Sequence, residues 1–243
     1  VMVSEARYGT NTWIEMWPIG FVDDGGKSYL FMTSERDLPG QEGTGNIWFY
    51  ELDWDPANEH YSSVQEGLDA ASSGDVVDVA AGTWEENISV GGGIELRGAQ
   101  SGVDARGRAG DETELTCAAG DLVTIGGSDV VLDGLTLSGS GSAGKLIDGD
   151  AHGAGLRVAN CRLGGTAVHA FWFNVTSPGI LIERCVVDGS SLSASNALGF
   201  FDGADVFDDL TIRDNEFLSG EIFAGNDSYN SARLVLSGNL FDL

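Results

Sequence analysis

The residues that could do chemistry are concentrated in the second half of the chain. Asp202-Gly-Ala-Asp205-Val-Phe-Asp208-Asp209 places four carboxylates within eight residues. A hard cation bound through oxygen ligands would relieve their mutual repulsion, so Asp202, Asp205, Asp208 and Asp209 form a candidate Ca²⁺ loop. The alternative is a set of solvated loop acids, because the segment lacks the Asp/Asn alternation and distal Glu of a calcium-binding hand. Asp202 and Glu221 form a second candidate, an acid pair. Carboxylates one or two stacked strands apart would stand about 5 or about 10 Å from each other, which brackets the separations used in retaining and inverting glycoside hydrolysis. Chance pairs compete with that reading in a chain of 38 acidic residues. His169, Phe171, Trp172 and Phe173 crowd one short run. An outward Trp172 could stack on the apolar face of a sugar ring, with His169, Asn174, Asp148 and Asp150 as polar neighbours, whereas alternate members of the run read as core.

The elements that must position these residues are announced by an internal repeat. Residues 130–137, 156–163, 180–187, 210–217 and 234–241 share one pattern: apolar, any, apolar, two polar residues, two variable ones, then apolar. With Leu132, Val158, Ile182, Ile212 and Leu236 equivalent, the steps are 26, 24, 30 and 24 residues. Repeats of that length signal a solenoid. Each unit alternates with the two-residue period of a strand and bends at a Gly, Asn or Asp that tolerates left-handed backbone, so one repeat reads as one coil of a parallel β-helix. Cys161 and Cys185 are equivalent, and Asn215 and Asn239 occupy the same place in later coils. They are expected to stack as buried thiols below asparagines that hydrogen-bond between coils; a disulfide between neighbouring coils is the minority alternative. In this register Lys145–Asp148, Val168–Asn174, Ala197–Asp202 and Glu221–Asn226 fall in one outward strand column.

Composition shifts near residue 60. Before it lie Trp13, Trp17, Trp48 and Trp54 and all three methionines; after it the chain is rich in Gly, Ser, Asp, Val and Leu. Residues 1–60 therefore read as an aromatic β segment or cap, with Lys27–Thr33 and Asn46–Leu52 as strands joined by a long connection. Asp24–Arg36 followed by Asn46–Glu51 resembles one blade of the β-propeller proteins, and one blade cannot make a propeller. Ser63 begins a short helix with Val64, Leu68 and Ala71 on one face.

Tyr61–Ala71, Gly74–Ile88 and Ile94–Gly98 resemble the opening of the right-handed parallel β-helix proteins of the pectin-lyase-like superfamily, including the phrase Gly82-Thr83-Trp84-Glu85-Glu86. The resemblance covers residues 61–243. It implies an all-β fold, a right-handed single-stranded parallel β-helix with a short N-terminal capping helix, and sugar chemistry on the outer column named above. The same opening precedes esterases, lyases, hydrolases, epimerases and proteins without catalysis. Asp208-Asp209 and His152-Gly153 match two polygalacturonase phrases, but in reverse order, and the other two phrases are absent. No strand matches the methylesterase motif. A uronate lyase is disfavoured because Lys145 is the sole basic residue on the favoured column, with Arg157, Arg162, Arg184 and Arg213 on other faces.

Thirty-eight acidic against twelve basic residues give a formal charge of −26. Such a surface repels nucleic acid and anionic membranes and suits a salty medium. Three cysteines without metal spacing argue against structural zinc. No apolar run approaches the ~20 residues of a membrane span, and residues 1–10 carry no basic start, so a secretion signal is missing or already removed. The sequons at Asn87, Asn174 and Asn226 are compatible with export. The expectation is an extracellular or cell- or virion-surface protein that interacts with polysaccharide, with hydrolase activity open. The alternative is a structural, adhesin or virus-fibre receptor-binding module. An open C-terminal coil would be covered by another copy or by continuing chain.

Overall fold

In the computed structural model, the described residues are 16–24, 27–34, 46–52, 61–149, 153–173, 178–192, 196–200, 209–219, 221–224 and 234–242. For residues 16–52, 140–142, 196–200 and 221–224 only the backbone is described. The chain divides into two compact units, Val1–His60 and Tyr61–Leu243.

In the first unit, Met16–Asp24, Lys27–Ser34 and Asn46–Leu52 form a three-stranded antiparallel sheet in sequence order. Lys27–Ser34 pairs with both neighbours, and the ladder to Met16–Asp24 is interrupted between Pro18 and Gly20. Proline lacks the N–H that a continuous ladder needs.

The second unit is all-β apart from one short helix, Val64–Ala70. Its strands lie in stacked parallel sheets, an arrangement compatible with a β-helix-like fold. One sheet contains seven strands in the spatial order Val76–Asp78, Glu95–Arg97, Val131–Asp133, Arg157–Ala159, Leu181–Glu183, Leu210–Arg213 and Leu234–Ser237. Each strand therefore pairs with the one a full repeat away, and we call each level a rung. The pairs Leu132↔Val158, Val158↔Ile182, Ile182↔Ile212 and Ile212↔Leu236 reproduce the register read from sequence. Two further rungs precede them, through Val77↔Leu96 and Leu96↔Leu132. Their irregular steps of 19 and 36 residues hid them from the alignment.

The second strand position runs through Gly82–Glu85, Thr113–Gly120, Leu135–Asp148, Arg162–Phe173, Val186–Asp188, Glu216–Leu218 and Leu240–Asp242. A third position branches from it. Ile88–Val90 pairs with Val123–Ile125, which pairs with the end of Leu135–Asp148, and Arg162–Phe173 continues to Asn196–Phe200 and Glu221–Ala224. The inward columns form the core: Leu96, Leu132, Val158, Ile182 and Ile212 on one side, Leu115, Leu137, Leu163, Val187 and Phe217 on the next, and Val123, Ile147 and Phe171 on the third. A fully buried side chain of this size stabilises by about 1.5–3 kcal/mol, so the rung-to-rung columns carry most of the stability.

Two columns of left-handed residues turn the chain at the edges of the seven-stranded sheet. Three positions before the reference leucines, isoleucines and valines stand Gly74, Gly93, Asp129, Gly155, Gly179 and Asp209, all at positive φ. Two positions after them stand Gly134, Asn160, Arg184, Asp214 and Gly238, also at positive φ. Left-handed backbone costs a β-carbon-bearing residue roughly 1–2 kcal/mol, and Gly, Asn and Asp bear it best. Arg184, at φ 53°, is the departure from that composition.

Immediately after the second corner, cysteine and asparagine occupy equivalent places. Asn215 Nδ2 donates to Ile182 O and Asn239 Nδ2 to Ile212 O, while Cys161 Sγ and Cys185 Sγ stand 3.7 and 3.6 Å from the corresponding Leu132 O and Val158 O and nearer, at 3.1 and 3.3 Å, to Ala159 O and Glu183 O. In the opposite direction, the Cys161 N–H points to Cys185 Sγ, the Cys185 N–H donates to Asn215 Oδ1 and the Asn215 N–H to Asn239 Oδ1. The three cysteines are free thiols. Burial pushes the Cys185 thiol well above its ordinary range, with the neighbouring Cys161 acting in the same direction.

The helix closes the first rung. Ser63 caps it by accepting from the Glu66 N–H, and the Glu86 carboxylate accepts from the Val64 and Gln65 N–H groups at 2.9 and 3.0 Å. Val64 and Leu68 are buried in the core. Among the described residues no helix is long and apolar enough to cross a membrane.

Residues 98–112 form a strap from the second rung across the second corner. Asp133 accepts from the Ser101 hydroxyl and the Gly102 N–H. Ala105 N–H donates to Arg184 O, and the fully buried Arg108 guanidinium reaches Asn160 O, Leu135 O and the Glu112 carboxylate. Arg162 completes the clasp by donating to Ala105 O, Arg108 O and Glu112.

Candidate functional site

The outward column holding the candidate sugar contacts is the third strand position. Lys145 pairs with His169, and Asp148 with both Trp172 and Thr124. Ile147 and Phe171, one place before Asp148 and Trp172, turn inward and are fully buried. Trp172 is therefore the half-buried member of a run whose neighbours Phe171 and Phe173 belong to the core.

Lys145 and His169 lie against its ring, and two carboxylates flank the lysine. Lys145 Nζ lies 5.3 Å from the Trp172 ring centroid and 3.1 Å from Asp148 Oδ1. Asp121 approaches the same ammonium at 3.7 Å and holds the lysine backbone, its Oδ1 accepting from the Lys145 N–H at 2.9 Å. His169 is buried with its ring centroid 4.8 Å from that of Trp172, at an interplanar angle of 39°. A cation over an indole face and an imidazole against the same ring fix the orientation of Trp172 on the surface. The local chemistry is an aromatic plate bordered by two carboxylates that share one cation.

Of the residues named from the sequence, the structure brings Trp172, His169 and Asp148 together on this column. The sequence reading assigned Lys145 no part in binding and missed Asp121. That aspartate sits in the turn between Thr113–Gly120 and Val123–Ile125, outside the strand repeat. Its recognisable signal is the Gly120-Asp121 pair before an inward Leu122, with Gly120 at positive φ. Asn174 and Asp150 lie outside the described residues.

Glu221 opens the strand Glu221–Ala224, where its backbone pairs with Asn196 at the start of Asn196–Phe200. Its proposed partner Asp202 follows the end of that latter strand and lies outside the described residues, as do Asp205 and Asp208 of the calcium loop. Asp209 occupies the first left-handed corner at φ 63°, the place taken by Gly179 and Gly155 in the rungs before it. A turn requirement thus accounts for one of the four clustered acids. Among the described residues no three His, Cys, Asp or Glu side chains converge as a metal-ligand set. Asn87, one of the sequons, donates through its side-chain amide to Ala119 O and Asp121 O at 3.0 and 2.6 Å, so that amide serves the turn carrying Asp121.

A second polar cluster lies on the seven-stranded sheet. Glu183 accepts from Arg157 of the preceding rung and Arg213 of the following one, at 2.7 and 2.6 Å. Its pairing with two guanidinium groups satisfies a buried carboxylate.

An all-β protein of stacked parallel sheets with an aromatic and carboxylate patch on one strand column is the class that fold and site define. No protein-family model, no curated protein and no solved structure matches the chain significantly.

Proposed function

We propose that residues 61–243 form a right-handed parallel β-helix of the pectin-lyase-like kind and that the Trp172 face binds polysaccharide outside the cell. The carrying observation is the fixed pose of Trp172: a half-buried indole braced by Lys145 and His169, with the Asp148 carboxylate beside it. Sugar rings present apolar C–H faces to aromatic plates and hydroxyls to carboxylates, so this combination suits a saccharide better than a flat apolar ligand. Support for the right hand is general: parallel crossover connections are right-handed in nearly all proteins. The acidic surface supports a salty, extracellular setting.

Retention on a panel of immobilised polysaccharides tests the reading. Wild-type protein should be retained, and Trp172→Ala should reduce retention by about tenfold or more while leaving the circular dichroism spectrum strand-dominated. Equal retention of both proteins would overturn the assignment of the face. Hydrolysis by Asp202 and Glu221 is the enzymatic extension of this proposal. It requires release of reducing ends that disappears in Asp202→Asn and Glu221→Gln, whereas binding without release leaves a binding or adhesin-type module.

A further inference from the structure

We infer that the Trp172 face selects neutral polysaccharide and rejects polyuronate. This inference rests on the reading of that face as a glycan-binding surface. A uronate-binding site needs a cation whose charge is available to the sugar carboxylate. On the described part of this strand column, Lys145 is the one Lys or Arg. The described arginines lie elsewhere: Arg97, Arg157 and Arg213 on the seven-stranded sheet, Arg162 on the second strand position, and Arg106, Arg108 and Arg184 at the strap and corner.

The Lys145 charge is already committed. Its ammonium contacts Asp148 at 3.1 Å and Asp121 at 3.7 Å, and all three side chains are largely withdrawn from solvent, at 22%, 13% and 29% exposure respectively. One cation between two carboxylates leaves the patch with a local charge of −1. The ammonium has a third donor, but a uronate carboxylate approaching it would bring a further negative charge against Asp148 and Asp121, which already outnumber the one cation between them. A neutral sugar meets no such repulsion. Its hydroxyls can donate charge-assisted hydrogen bonds to the remaining lone pairs of Asp148 and Asp121 while Lys145 stays paired, and its C–H face can cover the exposed part of Trp172. The net charge of −26 adds long-range repulsion of polyanions in the same direction.

The test compares wild-type retention on β-glucan and galactomannan with retention on polygalacturonate and alginate, at about physiological ionic strength, where attraction between distant charges is largely screened. Neutral polymers should retain the protein at least about tenfold better, in a Trp172-dependent manner. The Asp121→Asn, Asp148→Asn double variant releases Lys145 and should narrow that ratio by raising retention on polyuronate. Trp172-dependent binding that favours polyuronate in the wild-type protein would overturn the selectivity and leave the glycan-binding reading intact. Loss of all retention, neutral and acidic alike, would overturn both.

Discussion

Glu183 shows how one side chain can tie three rungs together. Burial by itself pushes its carboxyl upward, but hydrogen bonds and charge from Arg157 and Arg213 outweigh that and hold it below the ordinary carboxylate range. The folded value thus lies below the unfolded one, so the stabilisation is complete above the unfolded value, near 4.5, and is lost as pH falls through the folded value. Glu183→Gln should cost about 2 kcal/mol at neutral pH, the scale of a hydrogen bond to a charged group. Denaturant titrations of wild type and variant should converge in acid below that window, and an undiminished gap there would refute the linkage. The pairing was only half legible in the sequence. Rung register puts Glu183 opposite Arg213, whereas the contact from Arg157, two positions out of line, depends on the reach of a long side chain. The stacking of Cys161, Cys185, Asn215 and Asn239 was legible because all four occupy one slot in the repeat, whereas the short thiol contacts to Ala159 O and Glu183 O two residues back were not.

At the scale of elements, a residue class that recurs on every rung could be read, and a segment used once could not. The columns of Leu, Ile and Val and the Gly/Asn/Asp corners reappear at each turn of chain, which is why five rungs aligned correctly. Residues 98–112 contain no repeated pattern, and their Gly and Arg content describes any exposed loop. The buried Arg108 is what makes them a strap, and its partners Leu135 O and Asn160 O are 27 and 52 residues away. The strap in turn explains Gly134. A β-carbon there would stand 2.1 Å from the Ser101 nitrogen and 2.2 Å from the Gln100 carbonyl carbon, at φ +73°. Gly102, on the strap itself, has φ +76°, and a β-carbon there would meet nothing within 4 Å. Gly134→Ala should therefore cost more than about 3 kcal/mol, combining overpacking with left-handed strain, and Gly102→Ala only about 1 kcal/mol from strain alone. Equal midpoint shifts in urea would mean that the strap gives way instead of clashing.

For the whole molecule the dominant quantity is charge. With 38 acidic residues against 12 basic, self-repulsion opposes compaction, and added salt screens it. Melting temperature should rise as sodium or potassium chloride is raised to molar concentration. Equal stabilisation by millimolar calcium alone would instead favour a metal site in the Asp202–Asp209 loop. The strap has a further consequence for how the stack comes apart. A solenoid is nearly one-dimensional: each level touches only its neighbours, so it can peel from either end one level at a time. Residues 98–112 break that rule by leaving the second rung and anchoring to the third, fourth and fifth. The levels from Glu95–Arg97 to Leu181–Glu183 cannot separate without releasing the strap, Arg108 from Leu135 O and Asn160 O and Ala105 from Arg184 O, so they should open as a single cooperative block. Beyond it, the hydrogen bonds of Leu210–Arg213 and Leu234–Ser237 among the described residues run to neighbouring levels, so fraying from that side should stop where the strap begins.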